Sequence, residues 1–511
     1  MAIRNSIIRS STSFVSLVAL ALWSGCATDQ GNPPGSAGAP ATAGSPAVPA
    51  AGAPTTAGGA GSPAVMGGAP GTETAGAGNP TAGAGSPTAG AAPAAGAGNN
   101  SAGAGPVGGA PGAGGAASNP TGTYNPDFVE FYGKDCVVSD PAAVDNAKLP
   151  DLFKSFDGTR MTKKSDWKCR RAELKKAVEK FIHGEKPGPP EKVTGSVSAT
   201  SIKVHVENGG KTIDFSVAVS MPTGASGPVP AIIGLGGGSL DKSIVSGEGV
   251  ASINYDNNAM SSESSRSGLF STIYGSTGAS AQVGWAWGVS RIIDVLISEK
   301  KEGRNNIIDP TGIGVTGCSR LGKGAFTIGA FDERIALGIP QESGTGGVSA
   351  FRVVNTAPMG PNGKPAQSLD SAWSEAQGWF GTVFGTNRSK VNTIPADTHS
   401  LVAMYAPRGL LILDNSRIGE LCATCQHAAA ASAAEMYKAL GVEKNIEYNG
   451  GNASDPHNHC TFYAASQVEP LKRAIRAFLT KKAAPDGRIA PAAIATADLT
   501  KWIEGTTPTL Q

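Results

Sequence analysis

The chain has 511 residues, of which 40% are hydrophobic, and its formal net charge at pH 7 is only +2. This near-balance, and the lack of a long basic block with interleaved aromatic residues, argues against a nucleic-acid partner. Any acidic ligand must therefore be bound by local groups.

The first residues have the order of parts of a bacterial export signal. Arg4 and Arg9 precede an apolar run at 14–23, which is followed by two small residues and Cys26. The run is too short to span a bilayer as a helix. We expect residues 1–26 to be a lipoprotein signal peptide with lipid on Cys26, the alternative being a plain signal peptide. The expected location is extracellular or at the cell surface, anchored to the outer membrane by this lipid alone.

Residues 27–123 consist almost wholly of Gly, Ala, Pro, Ser, Thr and Asn. Such a segment cannot bury a core and is predicted to be a disordered tether, although a spacer recognised by a partner is an alternative. Residues 124–484 are long enough for one large α/β domain, and 485–511 form a short C-terminal tail. We expect a monomer.

Strand and helix patterns alternate along the domain. Residues 211–221 alternate apolar and polar side chains, and short apolar runs follow at 229–233, 250–255, 313–316, 335–339, 409–413 and 446–448. Helical patterns occupy 282–299, 321–331, 426–440 and 469–481. The alternation predicts an α/β fold, with a doubly wound, mostly parallel sheet and functional residues at the carboxyl ends of its strands.

The strongest local signal is the run of small residues around Ser319, between a predicted strand and a predicted helix. A nucleophile elbow needs small neighbours because its turn is tight, and it presents the hydroxyl at a helix start where N–H groups meet an oxyanion. The spacing departs from the usual Gly-x-Ser-x-Gly, because the second glycine is Gly322. A plain glycine-rich turn is therefore the alternative.

A serine hydroxyl needs a base, and α/β-hydrolases place the histidine downstream of the nucleophile. Of the four histidines after Ser319, only His457 and His459 fall in the polar, glycine-containing loop 450–459. His459 precedes Cys460 as Cys318 precedes Ser319, so a disulfide between the two cysteines would tie the base to the nucleophile. This favours His459 over a pair of histidines that packs a loop or binds metal.

These motifs resemble carbohydrate esterase family 15, the glucuronoyl esterases, whose members have the α/β-hydrolase fold with a three-layer α/β/α sandwich. The resemblance rests on the elbow at 317–325, the Gln-Glu-Ser-Gly turn at 341–344 and the His-Asn-His-Cys sequence at 457–460. Further similar motifs are the Trp-x-Cys-Arg-Arg sequence at 167–171, the glycine loop at 233–239 and the Trp-Ala-Trp-Gly-Val sequence at 285–289. The similarity therefore extends over essentially the whole predicted domain.

The resemblance implies that Ser319 is the nucleophile, His459 the base and Glu342 the acid that orients it. It also implies that Arg320 stabilises the oxyanion, unless this arginine only forms a surface salt bridge. Neither a metal nor an organic cofactor is implied. From the residues alone, Asp414 and Glu420 are rival acids, because they follow a later strand.

Three further residues are similar to the family's sugar-binding groups, namely Lys323, Gln367 and Glu375; the last two could instead be ordinary helix-surface residues. The chain departs from the family at Glu420, where a tryptophan usually packs on the sugar. Trp373 or Trp379 could supply an aromatic face instead.

Setting Cys26 aside leaves six cysteines, an even number that fits an oxidising compartment. The resemblance implies the pairs Cys136 with Cys169 and Cys318 with Cys460. The pair Cys422 with Cys425 is inferred from the remaining cysteines, although a Cys-x-x-Cys sequence could also be a metal or redox site.

The family resemblance implies a serine esterase that cleaves esters between (4-O-methyl-)glucuronic acid of glucuronoxylan and lignin alcohols, so its partners would be lignin–carbohydrate esters. One alternative is a broader carboxylesterase with the same triad. Another is an inactive surface protein that binds carbohydrate, but the complete set of Ser, His and Glu argues against it.

Overall fold

A computed structural model of the protein describes residues 128–452, 454–456, 458–489 and 497–511. The predicted signal peptide with Cys26, the predicted tether and His457 lie outside the described residues, and those assignments stay predictions. Within the described ranges, no helix is both long and apolar enough to cross a bilayer.

The described residues contain one sheet of nine strands. These are β1 (Lys192–Val197), β2 (Ser201–Asn208), β3 (Lys211–Ser220), β4 (Val229–Leu235), β5 (Ala251–Tyr255), β6 (Ile308–Cys318), β7 (Ile335–Gln341), β8 (Gly409–Leu413) and β9 (Ile446–Asn449). Their order across the sheet is β1-β2-β3-β5-β4-β6-β7-β8-β9. β1, β2, β3 and β5 pair antiparallel, whereas the ladder from β5 through β4 to β9 is parallel. The predicted, mostly parallel sheet is confirmed.

Helices cover both faces of this sheet. In the described part of the chain the α-helices are α1 (Trp167–Val178), α2 (Lys242–Gly247), α3 (Asn257–Met260), α4 (Leu269–Tyr274), α5 (Ala281–Lys301), α6 (Arg320–Phe331), α7 (Phe351–Val354), α8 (Leu369–Glu375), α9 (Phe384–Asn387), α10 (Thr398–Ala403), α11 (Ala423–Leu440) and α12 (Ala464–Ala474). Short π segments continue α1 and α12, at Glu179–His183 and Ile475–Leu479.

The central strands are apolar on both sides because each side has its own core. On one side Ile232, Leu337 and Leu411 pack with Leu471 and Ile475 of the α12 segment. On the other side, residues such as those of α5 and α6 form a larger core with the opposite faces of the same strands. This two-sided burial makes the three-layer α/β/α sandwich of an α/β-hydrolase.

The strands β1 and β2 and the helix α1 are among the elements that the periodicity did not reveal. β1 is half exposed along its length and contains Gly195, where an added Cβ would lie 2.1 Å from the carbonyl oxygen of Lys203 in β2. Exposure removes the apolar signal, and glycine is a poor strand former. The helix α1 buries Arg170 and Arg171, two charged residues that hide its buried face from a hydrophobicity pattern.

The described end of the predicted C-terminal tail packs against the domain. Leu149 donates its N–H to the carbonyl of Trp502 at 2.8 Å, and Gln511 donates its N–H to the carbonyl of Thr162 at 2.9 Å. Leu510 is buried. Residues 497–511 are therefore part of the packed body rather than a free extension of it.

Candidate active site

Ser319 lies between the end of β6 and the start of α6, with φ 56° and ψ −125°. A positive φ is costly for a residue with a side chain, and such strain is typical of a nucleophile elbow. The glycines on either side are required sterically: an added Cβ would lie 2.4 Å from the carbonyl oxygen of Leu321 at Gly317, and 2.4 Å from that of Gln341 at Gly322. The unusual position of the second glycine thus reflects close packing of the elbow on β7.

Glu342 follows β7 directly and is fully buried, with φ 47°. Its Oε2 atom lies 2.6 Å from Nδ1 of His459 and accepts the backbone N–H of Cys460 at 2.8 Å. Its other oxygen, Oε1, is buried, and none of the described residues donates a hydrogen bond to it. The carboxylate therefore contacts the imidazole through one oxygen, as the acid of a catalytic triad does.

A disulfide between Cys318 and Cys460 joins the elbow to the histidine loop, with a Cα–Cα distance of 5.6 Å. The predicted nucleophile Ser319 directly follows Cys318, and the predicted base His459 directly precedes Cys460. In the described residues no hydrogen bond joins the Ser319 hydroxyl to His459, whose side chain is 41% exposed. Catalytic hydrogen bonds are often long before substrate binds, so the lack of this bond does not contradict the predicted pair.

Three types of donor atom that could suggest a metal site also meet here, since the sulfur, carboxylate and imidazole donors of Cys318, Glu342, His459 and Cys460 all lie within 4.8 Å of one another. Both cysteines are oxidised to the disulfide. Only thiolates ligate metals well, so the set does not fit a metal centre.

The other two predicted disulfides are also formed, between Cys136 and Cys169 and between Cys422 and Cys425. The Cys-x-x-Cys sequence thus forms a disulfide between two cysteines that are three residues apart, at the start of α11. Together the three bonds account for all six cysteines that follow Cys26.

Neither rival carboxylate has His459 as a hydrogen-bond partner. Asp414 is buried after β8, where it accepts the Tyr448 hydroxyl at 2.8 Å, and burial raises its pKa to about 7. Glu420 lies 2.7 Å from Nζ of Lys364 and accepts the side-chain amide of Asn362 at 2.8 Å. Of the three acids that the sequence offers, the structure brings only Glu342 to the imidazole.

The other described histidines downstream of Ser319 lie elsewhere. His399 is buried, with Nε2 at 2.9 Å from the carbonyl oxygen of Pro150. His427 lies on α11, where its Nδ1 accepts the N–H of Ala497 at 3.4 Å. Both imidazoles therefore form hydrogen bonds with the backbone of other segments, and neither contacts the elbow.

Arg320 is the first residue of α6, and its side chain is 59% exposed. Its Nε lies 3.1 Å from Oε1 of Glu263. The same carboxylate accepts the indole N–H of Trp379 at 2.9 Å through Oε2. The guanidinium is therefore ion-paired, as the alternative interpretation of this arginine expected, and its part in stabilising the oxyanion stays a prediction.

Lys323 lies one helical turn after Ser319 and is almost fully buried. Its Nζ donates to the carbonyl of Ser343 at 2.6 Å and lies 4.6 Å from the ring centroid of Trp379. Burial lowers its pKa to about 8, although the charges of Glu375 and Glu263 oppose this shift. Lys323 is therefore a desolvated cation that keeps its charge at neutral pH.

Gln367 and Glu375 contact each other, since the Gln367 amide donates to Oε2 of Glu375 at 2.6 Å. The backbone N–H of Gln367 donates to the carbonyl of Glu420 at 3.0 Å, so Gln367 lies next to both Glu375 and Glu420. Of the two candidate aromatics, Trp379 faces Lys323, whereas Trp373 has the guanidinium of Arg388 over its ring at 5.2 Å.

Two residues near this site were not assigned a role from the sequence. Glu263 lies in a serine-rich loop that carries no motif. Gln341 precedes the acid, and its side chain accepts the Ser239 hydroxyl at 2.7 Å and donates to the carbonyl of Thr461 at 3.2 Å. Gln341 thus joins the glycine loop to the histidine loop, a role for which its place in the Gln-Glu-Ser-Gly turn was the only signal.

A family model and similar curated proteins both indicate the same family as the sequence motifs. Residues 204–441 match a family model described as glucuronyl esterase of fungi. A 4-O-methyl-glucuronoyl methylesterase of Hypocrea jecorina is 38% identical over 377 residues, which span 71% of this chain and 76% of that protein. One of Neurospora crassa is 38% identical over 391 residues, or 75% of this chain and 94% of that protein. The chain belongs to the glucuronoyl esterase family.

Solved structures of this family share the fold. The glucuronoyl esterase catalytic domain of Hypocrea jecorina superposes with a TM-score of 0.64 and 35% identity, covering 73% of this chain and all of that domain. The family 15 glucuronoyl esterase of Caldicellulosiruptor kristjansonii gives a TM-score of 0.61 and 28% identity, covering 70% and 97%. The predicted family and the α/β-hydrolase fold are both confirmed, and the chain is a carboxylic ester hydrolase by family.

Proposed function

We propose that this protein is a serine esterase that hydrolyses esters of glucuronic and 4-O-methyl-glucuronic acid. The observation that carries the proposal is the contact of Glu342 with His459, which a disulfide ties to the strained Ser319 elbow. A related esterase of Sporotrichum thermophile, at 35% identity and a TM-score of 0.62, has been solved as a serine-to-alanine mutant with methyl 4-O-methyl-β-D-glucopyranuronate. Its ligand is the methyl ester of the acyl group proposed here.

In the proposed reaction the Ser319 hydroxyl attacks the ester carbonyl carbon while His459 takes its proton. Glu342 stabilises the imidazolium, and Arg320 meets the negative charge that forms on the carbonyl oxygen. As the bond to the alcohol breaks, His459 returns the proton to the leaving oxygen. Water then attacks the acyl-enzyme with His459 again as base, which releases the uronic acid and restores Ser319.

The groups beside the elbow suit a hydroxylated acyl part. Lys323 is a buried cation, and the Gln367 and Glu375 side chains are polar and mutually hydrogen-bonded. A lipid-type acyl chain would displace water from these groups without offering them any new hydrogen bond, which is costly. We therefore favour an uronate acyl group, and glucuronoxylan joined to lignin alcohols as the natural substrate.

We further propose an extracellular location, supported by three disulfides, which persist in oxidising compartments. The relatives from Hypocrea and Neurospora are fungal proteins and lend no support to a bacterial lipid anchor. Attachment of lipid to Cys26 remains a prediction from the sequence alone.

The test is release of alcohol from three esters: benzyl glucuronate, benzyl galacturonate and an aryl acetate. We expect hydrolysis of the glucuronate ester to be fastest, and Ser319→Ala to abolish it. Comparable rates on the acetate would favour the broader carboxylesterase. Binding of glucuronoxylan with no hydrolysis of any ester would favour the inactive binding protein.

A further inference from the structure

We propose that Glu263 is a positioning residue, whose one carboxylate holds both the guanidinium of Arg320 and the indole of Trp379 in the geometry that the oxyanion and the acyl group require. The inference rests on the proposed esterase reaction, but not on the identity of the acyl group. It concerns a residue that carries no sequence motif.

The Glu263 carboxylate makes two contacts, here called its two arms, and the first is the ion pair with Arg320. Oε1 of Glu263 lies 3.1 Å from Nε of Arg320, and the two side chains are 27% and 59% exposed. Among the described residues, the two terminal nitrogens of this guanidinium have no partner. Contact through Nε therefore orients the planar group and leaves its terminal N–H groups free for an anion.

The second arm is the hydrogen bond to Trp379. Oε2 of Glu263 accepts the indole N–H at 2.9 Å, and the Trp379 ring lies 4.6 Å from Nζ of Lys323. The negative charge of Glu263 also helps Lys323 to keep its proton. One carboxylate thus links the predicted oxyanion group to the predicted sugar-binding cation.

The backbone around Glu263 fixes the position of its carboxylate. The N–H of Gly378 donates to the carbonyl of Glu263 at 3.0 Å, and a Cβ added to Gly378 would lie only 2.0 Å from that oxygen. Arg266 donates to the carbonyls of Gln377 at 2.6 Å and Phe380 at 3.0 Å. The loop of Glu263 and the segment that contains Trp379 are therefore joined by several contacts.

Positioning matters here because Arg320 is long and largely solvent-exposed. A free guanidinium would sample many rotamers and lose entropy each time the oxyanion forms. A donor held in place before the reaction avoids that cost, which is the basis of electrostatic catalysis by preorganised groups. An ordinary surface ion pair would contribute only to stability, and then only slightly.

The test uses the near-isosteric Glu263→Gln, whose amide oxygen can still accept the Trp379 N–H while its NH2 group faces the Arg320 guanidinium. We expect kcat to fall about tenfold with KM within about twofold, a fraction of the hundredfold or more that losing an oxyanion donor costs. The melting temperature should not change. Glu302→Gln, which removes the ion pair of a distant surface glutamate with Arg304, is the matched control and should leave kcat unchanged.

A double-mutant cycle separates positioning from a general effect. In the background of Arg320→Met, Glu263→Gln should no longer lower kcat, because the group that it positions is absent. Trp379→Phe breaks the other arm and should alter KM more than kcat. An undiminished loss of kcat in the Arg320→Met background would overturn the proposal, as would a Glu263→Gln enzyme with the kcat of the Glu302→Gln control.

The outcomes for the two proposals can be told apart with the three esters. If the wild type hydrolyses only the aryl acetate, the uronate assignment fails, and the cycle is measured on the acetate. If it hydrolyses none of them, both proposals fail together. Hydrolysis of glucuronate without coupling between Glu263 and Arg320 overturns the positioning role alone.

Discussion

Oε2 of Glu342 lies 2.6 Å from Nδ1 of His459, although 117 residues separate the two in the chain. The same oxygen accepts the N–H of Cys460, whose disulfide partner precedes Ser319. The carboxylate therefore orients both the imidazole ring and the backbone of its loop.

We predict that Glu342→Gln lowers kcat by a few orders of magnitude with little change in KM, because the amide cannot stabilise the imidazolium. Steady-state kinetics on a glucuronate ester provide the measurement. Asp414→Asn is the matched control, since Asp414 is also a buried acid at the end of the neighbouring strand. Loss of turnover in Asp414→Asn, with turnover retained in Glu342→Gln, would show that the later strand supplies the acid.

Asp414 also gives a stability prediction with a definite sign. Its pKa is raised from 3.8 to about 7, mainly by burial, so between these pH values the native state holds the proton more tightly than the unfolded chain does. Its contribution to stability is full below about pH 4 and is lost as pH rises through about 7. Asp414→Asn should therefore raise the melting temperature more at pH 8 than at pH 4. An equal shift at both would contradict this.

Removing the disulfide at the site should affect catalysis as well as stability. We expect Cys318→Ala with Cys460→Ala to cost about 2–5 kcal/mol of unfolding free energy and to lower kcat, because the His459 loop loses its bond to the elbow. Removing the pair of Cys136 and Cys169 should lower stability but leave kcat unchanged. Denaturant unfolding and kinetics measure both effects, and a free thiol at Cys318 in unreduced wild-type protein would refute the clamp.

Lys323 predicts a pH dependence of substrate binding. Burial lowers its pKa to about 8, so its ammonium is charged below that pH and neutral above it. If the cation binds uronate hydroxyls, KM should rise as pH increases through about 8. The measured rates are corrected for spontaneous alkaline hydrolysis of the ester. In Lys323→Met, KM should be high and should lack this rise; an unchanged KM would remove Lys323 from the binding site.

Glu420, which the sequence predicts at the position where the family usually has tryptophan, is paired with Lys364 and Asn362. Because its backbone carbonyl accepts the N–H of Gln367, a substitution at Glu420 should shift Gln367, one of the predicted sugar-binding residues. We predict that Glu420→Ala alters KM severalfold with kcat nearly constant, and that Lys364→Met has a smaller effect in the same direction. A large loss of kcat in Glu420→Ala would indicate a part in the chemistry instead.

The parts of this protein that the sequence determined by itself are those set by short-range sterics and local composition. The glycines around Ser319 mark a turn too tight for side chains, and apolar runs such as 335–339 mark strands that are buried on both faces. The adjacent pairs Cys318 with Ser319 and His459 with Cys460 indicated which histidine meets the elbow. Such signals survive in sequence because the constraint and the residue that meets it lie close together in the chain.

Tertiary packing decided the rest. From the residues alone Asp414 and Glu420 were rivals of Glu342 as the acid, and only the tertiary structure places Glu342 at the imidazole while Asp414 accepts the Tyr448 hydroxyl. The half-exposed β1 gave no apolar period, and Glu263 lies in a loop with no motif. Its role arises from contacts with Arg320 and Trp379, which are 57 and 116 residues away along the chain. The sequence around a carboxylate does not indicate which side chains from distant parts of the chain will contact it.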